Sequence, residues 1–312
     1  MKDKILSVFA FFNDYINKGH GRSVKVKRNI LASLVIKGGN ITIGLILIPL
    51  TIHYVNTTQY GIWLTLNSII GWFSFFDVGF GNGLRNKFAE AIAKGDDKLA
   101  RIYLSTTYAV LGIIVCVLLI IFFCINNFLN WAAILNTPAS MAHELSILAL
   151  LVFSFFCLQF VLQLITVIIT ANQQSAKASF FNLLGSLFSL IVIFILTKTT
   201  SGKLIYLALS LGLAPVLVLT ASSIWFYKHE YKKYAPSLKY VRFKYAKNLL
   251  NLGIQFFIIQ GAAIVVFTTD NIIISQLFGP AAVTPYNISY KYFTIILMLF
   301  SIIISPLWSS FT

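Results

Sequence analysis

The sequence predicts an all-α, polytopic transmembrane helical bundle, and three observations carry that prediction. First, 58% of the 312 residues are hydrophobic and only 11% are Asp, Glu, Lys or Arg, where a soluble domain carries about 25% charged residues. Second, the charges are spaced so that residues 38–76, 102–143, 145–176, 178–197, 204–227, 248–269, 271–290 and 292–312 contain none. Each of these runs reaches the roughly 20 residues a helix needs to cross the hydrocarbon core. Third, no segment alternates apolar and polar residues with period two, which excludes a membrane barrel.

The elements follow in order. Residues 1–28 form a basic N-terminal segment. Within it Ile5, Phe9, Phe12 and Ile16 recur at helical spacing near Lys2, Lys4 and Lys18. That pattern predicts a short amphipathic helix over residues 1–19, lying on anionic lipid at the cytoplasmic face. Asn13 and Asp14 directly follow its apolar residues and no small-residue cleavage pattern is present, so it does not read as a signal peptide. Eight spans follow, at about 30–55, 60–82, 102–126, 145–170, 178–196, 204–227, 249–275 and 285–308. Spans 1–6 make an N-lobe (29–227), residues 228–247 a basic cytoplasmic linker, and spans 7 and 8 a partial C-lobe (248–312). Cys116, Cys124 and Cys157 all fall within apolar runs, which predicts buried, inert thiols and no disulfide framework. His20, His53, His143 and His229 lack ligand spacing, so no metal site and no cofactor are expected.

Net charge is +15, yet the basic residues need no nucleic acid to explain them. They gather in the N-terminal segment, after span 2 (Arg85, Lys87, Lys94, Lys98, Arg101), after span 4 (Lys177) and after span 6 (Lys228 to Lys247). The alternate loops hold only Lys198 and Lys203. Because cytoplasmic loops retain Lys and Arg, this asymmetry puts the N-terminus in the cytoplasm.

An internal repeat is interrupted. Thr57-Thr58-Gln59-Tyr60-Gly61-Ile62 opens span 2 and Val283-Thr284-Pro285-Tyr286-Asn287-Ile288 opens span 8, with Thr, Tyr and Ile matching. Both follow a charge-free outward loop, as expected of parallel repeats related by an axis along the membrane normal. The second block stops after two spans, so the chain is expected to be truncated.

Several stretches resemble the polysaccharide-transport branch of the multidrug/oligosaccharidyl-lipid/polysaccharide exporter superfamily, which includes the O-antigen flippases. They are Tyr60-Gly61-Ile62-Trp63, the run Phe75-Phe76-Asp77-Val78-Gly79-Phe80-Gly81-Asn82-Gly83-Leu84-Arg85-Asn86, and the turn Ala93-Lys94-Gly95-Asp96. Thr269-Asp270-Asn271-Ile272 and Tyr286-Asn287-Ile288-Ser289-Tyr290-Lys291 extend the likeness to the end of the chain. The resemblance implies a bacterial inner-membrane protein of 12 to 14 helices in two six-helix lobes, of which most of the second is missing here. It also implies a substrate, undecaprenyl-pyrophosphate-linked oligosaccharide, moved between leaflets by alternating access.

Four ionisable residues fall inside predicted spans: Lys37, Asp77, Asp270 and Lys291. A charge at that depth costs several kcal/mol, so each should face a wet cavity or a partner. Lys37, Asn40 and Gly44 share one helical face, as do Lys291, Thr294, Ser301 and Ser305. Span 4 shows Gln159, Gln163, Thr166 and Thr170, and span 5 Asn182, Ser186 and Ser189. Lys37, Asn40, Lys291, Asp270, Gln163 and Thr166 are the substrate-cavity candidates, although uncharged stripes also arise from hydrogen bonding between packed helices. Two cations without adjacent acids suit a pyrophosphate or an acidic sugar. Asp77 would form a structural ion pair with Arg85 or a proton site, and Asp270 would pair with Lys291 or bind a coupling H+ or Na+. Gly79 and Gly83 read as a packing or hinge site, since no strand precedes them as a nucleotide loop requires.

Besides the flippase, a cation-coupled drug or metabolite antiporter fits the same residues. A membrane glycan polymerase or glycosyltransferase would need paired carboxylates or a sizeable loop, and the outward loops hold only Glu144. Transport, not catalysis, is the expected activity, with a non-transporting scaffold as the remaining class.

Overall fold

Apolar runs in hydrocarbon become helices because every backbone N–H and C=O must find its partner within the segment. The computed structural model describes residues 21–77 and 79–311, and the helix expected over 1–19 lies outside them. Among the described residues there are eleven α-helices and no strand. They are α1 (Gly21–Val55), α2 (Thr57–Gly71), α3 (Phe80–Ala93), α4 (Asp97–Asn126), the single turn α5 (Trp131–Ile134), α6 (Ala142–Leu162) and α7 (Leu164–Ala171). Then come α8 (Ser175–Thr199), α9 (Leu204–Lys228), α10 (Ala246–Phe278) and α11 (Pro280–Phe311). Five segments are long and apolar enough to cross a membrane: Leu31–Val55, Asp97–Asn126, Ala139–Ala171, Ser175–Thr199 and Leu204–Lys228. Thr57–Asp77 and Phe80–Ala93, bent by 43° at the break between them, count as a sixth when the pair is taken as one span. The protein is a multi-pass, all-α membrane protein. The helices α10 and α11, of 33 and 32 residues, stand where spans 7 and 8 were expected.

Two spans differ from expectation. Span 2 is broken: α2 gives way to a six-residue 3-10 stretch, Trp72–Asp77, before α3 resumes. The apolar Trp-Phe-Ser-Phe-Phe run carries no hydropathy signal for this, but Asp77 and Gly79 do. The Asp77 carboxylate accepts from the Gly81 N–H at 3.0 Å, capping α3, and Gly79 takes φ +79. Arg85 and Lys87, expected in a loop, therefore sit on α3. Span 4 is likewise divided at Gln163 into α6 and α7.

Packing follows the small-residue logic of helices in lipid, where apolar surface alone does not drive association. Along the first half of the chain α1 lies on α8, α8 on α9, α9 on α6, α6 on α4, and α4 on α3. Gly185 on α8 seats against Pro215 on α9, the Ser189 hydroxyl donates to the Ser210 carbonyl at 3.1 Å, and Gly212 admits the Phe155 ring of α6. An aromatic cluster fills the centre: Phe153 stacks on Phe122 at 4.0 Å and meets Phe73 of the 3-10 stretch edge-on at 4.7 Å. Cys157 is buried nearby, whereas Cys116 and Cys124 lie on the outside of the bundle, contrary to the expectation that all three are buried. They follow the outward face of a helix too apolar to need burial.

The helices α10 and α11 join this half through α2. The former runs along α2 and α3, the latter along α2 and against α1. At one end of the bundle Asn136 donates to the Ser275 carbonyl at 3.0 Å and Gln276 to the Ile134 carbonyl at 2.6 Å. There too Thr284, from one copy of the repeat, donates to the Thr57 carbonyl of the other at 2.8 Å.

At the opposite end the α7–α8 turn grips the chain leaving α9. Asn172 donates to the Tyr231 hydroxyl, and both Gln174 and Lys177 donate to Glu230. Burial pushes the Glu230 carboxyl up, but those hydrogen bonds outweigh it and hold the group below its ordinary 4.5. A depressed carboxylate stabilises the fold above its unfolded value and loses that contribution as the pH falls through the folded one. The melting difference between the native chain and Glu230→Gln should thus be present at neutral pH and close below pH 4.5. Thermal melts over a pH series check this; the difference will be small, because the pair is partly exposed.

Candidate functional site

The middle turns of α1 divide its surface between two neighbours. A Cβ on Gly39 would meet Leu183 of α8 at 3.2 Å, so that face packs into the bundle. Lys37 and Gly44, seven residues apart, lie on another face, about two turns and 10 Å apart along the axis. Gly44 meets α11 there: the Lys291 ammonium donates to the Gly44 carbonyl at 3.4 Å and sits 3.3 Å from where a Gly44 Cβ would be. Lys291, from the far end of the chain, thus reaches the face that carries Lys37. Lys37, Asn40 and Lys291 are each half-buried. Among the described residues neither lysine has a carboxylate partner, so the two positive charges stand uncompensated on one seam. Ser301 and Ser305 lie outside the described side chains.

Asp270 does not pair with Lys291. It accepts a hydrogen bond from the Tyr286 hydroxyl across the α10–α11 hairpin. Beside it, Asn287 donates to Asn271 at 2.6 Å and Asn271 donates to Ser68 of α2 at 2.8 Å, while Tyr286 stacks on Tyr290. The physical reason is reach: Asp270 and Tyr286 face each other across the turn at Gly279, whereas Lys291 is more than a turn further along α11 and points at α1. Asp77 also lacks its expected partner. Its oxygens cap α3, and the Arg85 side chain is exposed. Gly83 is a packing position, because a Cβ there would lie 2.2 Å from the Leu249 carbonyl of α10.

Gln163 and Thr166 sit together at the α6–α7 break. Gln163 is exposed, and the Thr166 hydroxyl donates to the Gln163 carbonyl at 2.7 Å. Among the described residues, two of the grooves are apolar. One, of about 650 Å³, lies between α1, α8 and α9 and is lined by Ile36, Lys177, Phe180, Trp225 and neighbours. The other, of about 610 Å³, lies between the Trp72–Phe76 aromatics and Ile258, Gly261 and Val265 of α10. Neither is lined by the six predicted cavity residues.

The signature of the family described as "Polysaccharide biosynthesis protein" matches residues 26–311, nearly the whole chain. The chain belongs to this family. The chain is also 23% identical over 295 residues to a Salmonella typhi protein named "Putative O-antigen transporter". That match covers 92% of the present chain and 66% of the relative, so the chain spans just under two thirds of its length. No solved structure matches.

The sequence did not reveal Ser68 as the partner of Asn271 or Tyr286 as the partner of Asp270. Tyr286 was nevertheless visible as the counterpart of Tyr60 in the repeat. Nor does the sequence show how closely Gly61 approaches the start of α11: a Cβ on Gly61 would lie 1.7 Å from the Pro280 carbonyl oxygen.

Proposed function

We propose that the complete protein moves lipid-linked oligosaccharide, carried on undecaprenyl pyrophosphate, across the bacterial inner membrane by alternating access. The N-terminus is then cytoplasmic, as the Lys and Arg asymmetry favours. One observation carries the reading: Lys291 reaches across to the Lys37 face of α1, giving two ammonium groups on a single seam with no carboxylate partner among the described residues. Anionic pyrophosphate or an acidic sugar rewards such a pair, and lysines hold it as point charges that a moving substrate can leave. The family and the name of the Salmonella relative support the same substrate class. The two lobes (29–227 and from 248) would rock about the linker 228–247. Asp270, with Tyr286 as its donor, is the acid through which H+ or Na+ coupling would act. An antiporter of the same superfamily would depend on that acid first.

The test is rescue of a deletion strain by the intact gene. Lys37→Ala/Lys291→Ala, at normal membrane level, should lower surface polysaccharide on the order of tenfold or more, the scale of losing charge-assisted contacts. Full rescue by the double variant would sink the cavity role. Loss confined to Asp270→Asn would favour the antiporter.

A further inference from the structure

The segment between α9 and α10, residues 229–245, contains three short 3-10 turns and is fastened to the start of α4. Lys233 and the Tyr234 hydroxyl both donate to Asp97, at 2.9 and 2.6 Å. Arg101 donates to the Ala235 carbonyl at 2.9 Å and lies 4.2 Å from the centroid of the Tyr240 ring. Further down α4, the Ser237 N–H donates to the Ser105 hydroxyl and the Arg242 N–H to the Thr106 hydroxyl, each at 3.1 Å. From Asp97 to Thr106 is nine residues of helix, about 13 Å. The segment therefore descends from the charged start of α4 to the depth at which its apolar run begins.

The outward side of this fixed segment is amphipathic. Leu238 is 88% exposed, the most open large apolar side chain among the described residues, and Phe243 is 58% exposed. Between and beside them Lys239, Arg242 and Lys244 are exposed as well. The acids close by are already engaged: Asp97 with Lys233, Glu230 with Lys177, Glu90 with Lys87 and Lys94, and Asp96 as the cap of α4. Lys239 and Lys244 thus have no carboxylate partner among the described residues. Water alone would leave the apolar pair uncovered, and an apolar protein core would leave the cations buried and unpaired. The boundary between headgroups and acyl chains satisfies both.

We propose that residues 237–244 are a bilayer-surface clamp: Leu238 and Phe243 enter the acyl boundary while Lys239, Arg242 and Lys244 hold the headgroups of anionic phospholipid. Because α10 begins at Ala246, the clamp sets the first turn of α10 and the first turns of α4 at one membrane plane. It gives movement of the second lobe a fixed pivot. The inference rests on the orientation proposed above only in naming the leaflet as cytoplasmic.

The test uses the full chain in nanodiscs of phosphatidylcholine, with or without phosphatidylglycerol. A polarity-sensitive fluorophore is placed at Leu238→Cys or Phe243→Cys in a chain whose three native cysteines are replaced. The expected result is blue-shifted emission, quenched by lipids spin-labelled near the headgroup and strengthened by phosphatidylglycerol. Lys239→Glu/Arg242→Glu/Lys244→Glu, with unchanged melting temperature, should lower the preference for spin-labelled phosphatidylglycerol over phosphatidylcholine by on the order of tenfold or more. Water-like emission open to iodide in both bilayers would overturn the clamp. So would protection that rises with protein density instead of anionic lipid, since a second copy would then be the occupant. Labelling of these cysteines from outside intact cells by an impermeant thiol reagent would overturn the orientation and the choice of leaflet; the depth measurement decides the clamp separately.

Discussion

Gly61→Ala should drive α2 and α11 apart and cost the folded protein on the order of 3 kcal/mol, the upper range for overpacking. The added Cβ would lie 1.7 Å from the Pro280 carbonyl oxygen and 2.7 Å from its carbon, both backbone atoms that no rotamer can remove. Two helices that meet over backbone instead of side chains have no slack, and in lipid such close approach is itself the source of attraction. Separation would also break the Thr284-to-Thr57 hydrogen bond at the same end. Melting in detergent should show a lower midpoint, and disulfide cross-linking between cysteines placed at Thr57 and Thr284 should slow. Gly112→Ala provides the control: a Cβ there meets nothing within 4 Å, and helix propensity should make it neutral or mildly stabilising. Equal melting of the two variants would remove the steric account.

Phe153→Ala should be nearly as damaging, by a different route. Its ring is fully buried between Phe122 of α4 and Phe73 of the 3-10 stretch. Lipid tails are as apolar as this core, so little transfer energy from water is at stake. What is lost is packing, a cavity of about 100 Å³ that at about 24 cal/mol per Å³ amounts to roughly 2–3 kcal/mol. Phe153→Leu should recover about half. The readout is the melting midpoint together with proteolysis near Trp72–Asp77, which should accelerate in the alanine variant because the break loses its floor. Unchanged proteolysis there would show that the break is held by α10 alone.

The spans were legible wherever composition leaves one solution. A charge-free run such as 204–227 must be helical in hydrocarbon, and α9 covers Leu204–Lys228. Hydropathy fails where two backbone forms present the same apolar side chains: Trp72–Phe76 is as apolar in a 3-10 turn as in an α-helix. The cap at Asp77 and the left-handed Gly79 are the readable signs, although by residue type alone they suggest an ion pair or proton site and a packing or hinge site. For the candidate site, periodicity grouped Lys37 with Asn40 and Gly44, and the structure brings Lys291 to that same face. Periodicity speaks of one helix at a time, so it could not find the partner of Asp270, which sits on the next helix. The linker shows a related blindness. Its lysines and arginines announce which side they prefer, but not that Arg101, Asp97, Ser105 and Thr106 of α4 would hold it in place.

The broken span also governs length. As drawn, α2 contributes about 22 Å and the 3-10 stretch about 12 Å, together slightly more than the roughly 30 Å of a typical hydrocarbon core. Rewinding Trp72–Asp77 into α geometry would shorten the span by about 3 Å, roughly a quarter of the length of those six residues. The break therefore makes this part of the protein a compliant strut, able to match leaflets of different thickness while the helices around it keep their pitch.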